Sequence, residues 1–168
     1  MSATVVSVDR VIRAPAASIF AVVADASRHP EIDGSGALVR PKAGTPERLA
    51  LGSTFGMSMK MGVPYTTVNT VTEFEQDRRI AWQTALPGVL GHVVGGRIWR
   101  YELEEVDGAT KVTESWDISK DKQAVFLKHG KVGAHTAGTM SKTLERLARI
   151  TESPDTEPPA GEAQGTGS

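Results

Sequence analysis

The chain of 168 residues carries 19 lysines and arginines against 20 aspartates and glutamates, which gives a formal net charge of −1. Proteins that bind nucleic acid usually concentrate basic residues on one face, so this balance predicts no nucleic-acid partner. The absence of cysteine excludes disulfides, thiolate metal sites and cysteine nucleophiles.

Apolar runs in the sequence are short. The longest, residues 19–24, has six residues, whereas a membrane-spanning helix needs about 20. Asp9 and Arg10 interrupt the first apolar stretch, a pattern that is not typical of a signal peptide. We therefore expect a cytoplasmic protein without stable membrane insertion.

The composition changes near Ser153. Residues 154–168 contain three prolines, three glycines and three acidic residues, with no basic residue and nothing apolar larger than alanine. Such a segment cannot bury enough apolar surface to offset its ordering entropy. The sequence therefore predicts one folded domain over residues 1–153, followed by a disordered acidic tail over residues 154–168.

The domain begins with a predicted strand and one or two short helices. Residues 4–13 are rich in β-branched side chains that roughly alternate with polar ones, which is typical of a strand. Pro15 can open a helix, and an apolar stripe at helical spacing then runs to Asp25. His29 and Pro30 leave room for at most one further helical turn.

About six strands joined mainly by hairpins follow, and the chain then changes to a helical period. Strands are predicted around residue 39 and over residues 53–62, 64–75, 80–86, 97–105 and 110–118. A Gly-Val-Pro turn is expected after residue 61, and Asp107 with Gly108 is a strong hairpin signal. Residues 123–151 have apolar positions at helical spacing and predict one long helix.

Successive hairpins imply an antiparallel sheet, and one face of that sheet needs cover. The long C-terminal helix is the only element large enough to supply it. The sequence therefore predicts an α+β fold in which a curved antiparallel sheet of about seven strands wraps around the C-terminal helix.

Four stretches, over residues 8–25, 51–55, 71–82 and 101–116, carry a family resemblance. They include Ile-x-Ala-Pro before the first helix, Leu-Gly-Ser-Thr-Phe, Val-x-Glu-Phe before Arg-Ile-x-Trp, and Tyr-x-Leu before Val-Thr-Glu. With the order of elements, they resemble the helix-grip fold of the START-related superfamily, and more narrowly the bacterial polyketide cyclase/dehydrase and lipid transport family. The glycine-rich residues 88–96 have no clear counterpart among the motifs of that family.

This resemblance implies an elongated cavity between sheet and helix for an apolar or amphipathic small molecule. Within the family, activities range from carriers and sensors without catalysis to cyclisation and dehydration of polyketide chains. The predicted function is binding, as a carrier or sensor, of a hydrophobic small molecule such as a lipid or polyketide. The alternative is an aromatase-type cyclase or dehydrase that uses acid/base residues in the same cavity, and a third is a protein-interaction module.

Alternation in the strand over residues 53–62 places Phe55, Met57, Met59 and Met61 on one face. Methionine is flexible and polarizable, and it suits a surface that must fit varied apolar partners. On a strand it also commonly fills an ordinary core. Both interpretations stay open, and the implied fold favours a cavity lining.

Glu114 shares a strand face with two apolar residues, Val112 and Trp116. If this face points inward, burial without a partner raises the pKa of Glu114 and makes it an acid/base candidate. A structural ion pair is the favoured interpretation, with one of the three arginines Arg10, Arg97 and Arg100.

His129 follows Phe126 by three residues in the predicted helix, so it can face the cavity, although a histidine at the rim or one satisfied within the fold is the commoner interpretation. His129 and His135 lie six residues apart, about 120° around a helix, which disfavours a metal site. Candidate catalytic residues are therefore Glu114, Tyr101 and His129.

The predicted ligand-binding residues share an expected inward direction, and no metal or cofactor is predicted. They are Phe55, Met57, Met59, Met61, Tyr65, Asn69, Trp82, Trp99, Tyr101, Trp116, Phe126, His129 and Met140. The expected partner is a hydrophobic small-molecule ligand, and the expected assembly is a monomer or weak dimer.

Overall fold

Seven strands and one long helix form most of the structure, a computed structural model that describes residues 4–129 and 131–152. The elements, in chain order, are β1 (Val5–Ile12), α1 (Ala16–Val23), a 3₁₀ turn (Ala26–Arg28), α2 (His29–Ile32), β2 (Leu38–Pro41), β3 (Thr54–Met61), β4 (Val63–Glu75), β5 (Arg79–Ala85), a second 3₁₀ turn (Gly88–His92), β6 (Gly95–Val106), β7 (Ala109–Asp117), α3 (Ala124–Leu127) and α4 (Val132–Thr151). The predicted tail, residues 154–168, lies outside the described residues.

The strands form one antiparallel sheet in the order β1-β7-β6-β5-β4-β3-β2. Consecutive strands from β2 to β7 are neighbours, and β1 closes the far edge against β7. The sheet curls around α4, so the predicted α+β helix-grip fold with about seven strands is confirmed.

Two tight turns set the register of the longest hairpins. Asp107 and Gly108 both have positive φ, 50° and 77°, as a two-residue type I′ turn requires. Between β3 and β4 the turn is made at Gly62, with φ 76°, and Met61 pairs directly with Val63. The predicted Gly-Val-Pro turn is therefore wrong, because Val63 already belongs to β4.

Bulges change which residues face inward. The register of β4 against β5 shifts between Val71 and Glu73. As a result Val71 and Phe74, three residues apart, both pack in the core, where the rings of Phe74 and Phe20 lie 5.5 Å apart edge to face. The bulge therefore interrupts the alternation of β4 side chains between the two faces of the sheet, so alternation alone does not assign every residue of this strand to a face.

Helix α4 is anchored through its C-terminal half. Its completely or almost completely buried residues there are Leu144, Leu147 and Ala148, which pack with α1 and the sheet. The helix begins only at Val132, so the prediction of one helix over residues 123–151 is wrong for its first part. Lys128 and His129 offer no apolar side chain to hold a helix to the sheet.

A close backbone contact fixes α4 against the segment after α2. The Gly34 amide donates a hydrogen bond to Thr143 Oγ1 at 3.0 Å, and the Arg146 guanidinium donates one to the Asp33 carbonyl. A Cβ atom on Gly34 would lie 2.1 Å from the carbonyl oxygen of Thr139. Only glycine fits at this position without moving the helix.

We expect Gly34→Ala to lower the free energy of unfolding by about 1–3 kcal/mol, because the added methyl must displace backbone atoms of α4. Urea denaturation followed by circular dichroism measures this. The control is Gly138→Ala in the same helix, where a Cβ meets nothing within 4 Å. In that control the free energy of unfolding should rise by about 0.5–1 kcal/mol, because alanine has a higher helix propensity than glycine. Equal effects of the two substitutions would contradict the contact.

Candidate functional site

A cavity of about 450 Å³ lies between the inner face of the sheet and the N-terminal half of α4. Its wall combines side chains from β3 to β7 with residues of α2, the segment after α2, and α4. Met61 is 66% exposed and Val132 is 37% exposed, although both line the cavity, so they mark its rim. The space is large enough for a drug-sized ligand.

The methionine stripe of β3 runs from the core to this rim. Phe55 and Met57 are buried, Met59 is half-buried and Met61 is exposed, and all four line the cavity. The alternate residue Lys60 is exposed and lies outside the wall. Period-2 alternation thus separates the two faces of β3.

An aromatic stack forms one side of the cavity. The His29 ring stacks on Trp82 with centroids 5.1 Å apart, and Trp82 stacks on Tyr101 at 5.6 Å. Phe55 meets His29 and Trp82 edge to face, at 5.7 Å in each case. These contacts fix the orientation of Tyr101, whose hydroxyl reaches the neighbouring strand.

Glu114 on β7 lies directly opposite Tyr101 on β6 and is only 3% exposed. The Tyr101 hydroxyl donates a hydrogen bond to Glu114 Oε1 at 2.9 Å. Glu114 Oε2 is the one buried side-chain oxygen or nitrogen without a hydrogen-bond partner in the described part of the chain. Both residues line the cavity.

The ion pair that the sequence favoured for Glu114 is wrong. Arg97 Nε donates to Asp121 at 2.9 Å, and Arg100 binds Glu73 through two nitrogens. Arg10 is exposed on β1. The arginines of β6 therefore have acidic partners elsewhere, and Glu114 is buried with a neutral phenol as its partner.

This environment raises the pKa of Glu114 to about 8, because burial penalises the carboxylate most strongly. The negative charge of Asp33 raises the pKa further, whereas the Tyr101 hydrogen bond lowers it. Burial, followed by the charge of Glu114, also raises the pKa of Tyr101 well above its ordinary value. At neutral pH the pair is therefore a carboxylic acid beside a phenol.

His29 is one of the site residues that the sequence patterns do not reveal, because those patterns indicate only a helix breaker at this position. It is 5% exposed, lines the cavity, and donates from Nε2 to the Val23 carbonyl at 2.8 Å. Burial lowers its pKa more than that hydrogen bond raises it, so the ring is neutral at pH 7. No local motif marks His29, because Trp82 and Phe55 come from distant strands.

The other predicted ligand-binding residues divide into two groups. Those that line the cavity are Tyr65, Asn69, Trp99, Trp116 and Met140. Asn69 is also engaged in the wall itself, where it donates to the Phe55 carbonyl and accepts from Thr84 Oγ1 at 2.6 Å. Its amide therefore joins β3, β4 and β5.

Phe126 and His129 lie outside the cavity wall, so the prediction that they face the cavity is wrong. Phe126 is 79% exposed in α3, and His129 is exposed in the connection that precedes α4. Their helical spacing was extrapolated from α4, but α3 is a separate short helix. Among the candidate catalytic residues, the structure brings together Glu114 and Tyr101 and leaves His129 apart.

The match to a family model identifies the class. The model described as polyketide cyclase / dehydrase and lipid transport matches residues 3–152, and the chain belongs to this family. The family resemblance inferred from the sequence motifs is therefore confirmed.

Two relatives come from Mycobacterium tuberculosis. The uncharacterized protein Rv0088 of strain H37Rv is 40% identical over 148 residues, which cover 82% of this chain and 62% of the relative. The uncharacterized protein MT0096 of strain CDC 1551 is 39% identical with the same coverage. The chain thus spans about three fifths of the length of these curated relatives.

Solved structures share the fold at low sequence identity. The CV1439 protein of Chromobacterium violaceum gives a TM-score of 0.67 at 14% identity, covering 89% of this chain and 98% of its own. DynU16, from the dynemicin biosynthetic locus, gives a TM-score of 0.64 at 18% identity, and the match covers 90% of this chain and 48% of DynU16. A protein from Arthrobacter aurescens gives a TM-score of 0.68 at 14% identity, and the match covers 90% of this chain and 88% of that protein.

In the part of the chain that the structure describes, none of the helices is both long and apolar enough to cross a membrane.

We expect the burial of Glu114 to appear in the pH dependence of stability. Its folded pKa of about 8 exceeds the ordinary value of 4.5, so the folded state holds a proton that the unfolded state releases between these values. Stability contributed by this proton is therefore present at low pH and is lost as pH rises to about 8, by about 1.4 kcal/mol per pH unit at most.

Chemical denaturation between pH 6.5 and 8.5 measures this effect, and Glu114→Gln should remove the decline. The lowered pKa of His29 acts in the opposite direction and below that window, since a buried neutral histidine loses stability as pH falls through 6.5. The Gln variant retains His29, so the difference between the two proteins isolates Glu114. If the free energy of unfolding of the wild-type protein and of Glu114→Gln changed with pH in the same way above pH 6.5, a buried neutral carboxyl at Glu114 would be contradicted.

Proposed function

We propose that the protein binds a hydrophobic or amphipathic small molecule in the cavity, as a carrier or sensor. The observation that carries this proposal is the cavity of about 450 Å³ inside an otherwise packed fold. Protein interiors normally leave few voids larger than a water molecule, so retained space on this scale supports a ligand.

The chemistry of the wall supports an apolar ligand body. Aromatic and thioether side chains dominate the faces contributed by β3, β5, β6 and β7, including Phe55, Met57, Met59, Trp82 and Trp99. The cationic side chain of Arg97 lies in the wall but is bound to Asp121. The binding free energy of a ligand therefore comes mainly from the removal of apolar surface from water.

Native mass spectrometry of freshly purified protein, followed by denaturing extraction, tests the proposal directly. A bound small molecule that is released unchanged supports a carrier or sensor. Protein that is free of small molecules and does not take up a neutral fluorophore such as N-phenyl-1-naphthylamine would contradict it. A stable complex with another protein and an empty cavity would favour the interaction-module alternative.

Acid/base catalysis of a dehydration is the second candidate, because a protonated carboxyl lines the cavity. Protonated Glu114 can give its proton to a leaving hydroxyl, and the carboxylate so formed can then accept the proton of the adjacent carbon. A β-hydroxy ketone would thereby form an unsaturated ketone and water. Extracted species that differ by one water, with turnover lost about 10²–10⁴-fold in Glu114→Gln but binding kept, would favour this candidate.

We expect Met59→Trp to keep near-native stability but to weaken uptake of N-phenyl-1-naphthylamine. Met59 is half-buried in the middle of the methionine stripe, so added bulk can enter the cavity. In a filled core the same substitution would cost about 1–3 kcal/mol through strain. Fluorescence titration and urea denaturation measure the two quantities.

The matched control is Lys60→Trp, which points away from the cavity on the same strand. It should leave fluorophore uptake unchanged. Equal loss of uptake in both variants, or strong destabilisation by Met59→Trp, would mean that the stripe is ordinary core.

We also propose that the protein works in the cytoplasm as a monomer or weak dimer and without nucleic acid. The near-neutral charge and the short apolar runs of the sequence support this view. Size-exclusion chromatography with light scattering tests the assembly state.

A further inference from the structure

Most polar groups in the deep part of the cavity already have partners within the wall. Asn69 accepts from Thr84 and donates to the Phe55 carbonyl, and His29 Nε2 donates to the Val23 carbonyl. Thr143 Oγ1 accepts from the Gly34 amide. These hydrogen bonds hold the strands and helices together and leave little capacity for a ligand.

Glu114 Oε2 differs from these groups, because it is buried and has no hydrogen-bond partner in the described ranges 4–129 and 131–152. The other oxygen of the same carboxyl is engaged by the Tyr101 hydroxyl. Buried polar atoms in native proteins nearly always have a partner. An orphan oxygen in the wall of a ligand-sized cavity therefore indicates a partner that enters with the ligand.

The charges around Glu114 indicate what that partner is. Asp33, an acidic residue, lines the same cavity, and the guanidinium of Arg97 is bound to Asp121. His29 is a neutral ring. An anionic ligand group would thus be repelled by Asp33 and would have to compete with Asp121 for Arg97, whereas a neutral acceptor can take the carboxyl hydrogen without either cost.

We propose that the Glu114–Tyr101 pair selects ligands that present a neutral hydrogen-bond acceptor, such as a ketone, ester or amide carbonyl, which accepts the hydrogen of Glu114 Oε2. Tyr101 donates to Oε1, so the carboxyl hydrogen lies on Oε2, the oxygen that has no partner among the described residues. This inference rests on the proposed small-molecule binding and adds the chemical class of the ligand. The raised pKa of Glu114 supports it, since only the protonated carboxyl can donate.

Three probes of equal shape test the inference: 2-acetylnaphthalene, 2-isopropenylnaphthalene and 2-naphthoate. They place a carbonyl, a hydrocarbon or a carboxylate on the same ring system. Displacement of N-phenyl-1-naphthylamine gives the dissociation constant of each. The acetyl preference is defined as the Kd of the isopropenyl compound divided by that of the acetyl compound.

At pH 6 we expect the acetyl preference of the wild-type protein to exceed that of Glu114→Met by about tenfold, the contribution of one hydrogen bond. Dividing the two preferences cancels the different hydration of the probes. Glu114→Gln should keep the preference, because its amide can also donate. The naphthoate should bind more weakly than the acetyl compound.

Raising the pH to 9.5 ionises Glu114 and should abolish the acetyl preference in the wild-type protein but not in Glu114→Gln. The other titratable or charged groups that the described residues contribute to the cavity wall are Asp33, His29, Tyr65, Arg97, Tyr101 and His135. The Gln variant retains all of them, so the difference between the proteins reports Glu114 alone.

An equal acetyl preference in the wild-type protein and Glu114→Met, or tighter binding of the naphthoate than of the acetyl compound, overturns the inference. In that case binding of the isopropenyl compound leaves the proposed small-molecule function intact. Failure of all three probes and of the fluorophore to bind overturns both.

Discussion

A curled antiparallel sheet offers more concave surface than the two main helices can fill, and the rest of the structure depends on this mismatch. Helix α1 and the C-terminal half of α4 pack into one part of the concavity and form the main core with residues such as Phe20, Leu144 and Leu147. The N-terminal half of α4 crosses the remaining part. On its cavity side it presents the short side chains of Thr136 and Thr139, together with Val132, His135 and Met140. Space remains beneath them, and the side chains of the sheet line it.

The same mismatch accounts for the unusual electrostatics of β6 and β7. Glu114 faces inward by strand parity, but neither arginine of β6 meets it, because Arg97 is bound to Asp121 and Arg100 lies on the opposite face of the strand, where it binds Glu73. A carboxylate there would lose hydration without a counter-ion, so the neutral acid is the stable form. Tyr101 then stabilises one oxygen, and the aromatic stack through Trp82 to His29 holds Tyr101 in place. The shape of the cavity and the proton affinity of Glu114 are therefore linked through the neighbouring strands β6 and β7.

Much of this architecture could be predicted from the sequence, because hairpin signals and alternation are local. The inward-facing residues of β3, β6 and β7 follow from the alternation of side chains along a strand, which correctly places Phe55, Tyr101 and Glu114 on the cavity side of the sheet. His29 could not be found in this way, since its role depends on Trp82 and Phe55, which are far from it in the chain. Phe126 was misplaced because the sequence period continues smoothly, whereas Phe126 lies in the separate short helix α3, which buries none of its residues.

The uneven anchoring of α4 has a consequence for the exchange of the proposed ligand. Its C-terminal half has buried leucines and the contact at Gly34, whereas its first turns contribute Val132 and His135 as partly or fully exposed rim residues. Segments with few buried apolar contacts open locally at a small fraction of the global unfolding free energy. Fraying of the first turns of α4 would widen the rim while Leu144 and Leu147 stay packed. The residence time of a ligand would then be set by the local helix-coil equilibrium of these turns, independently of the stability of the sheet.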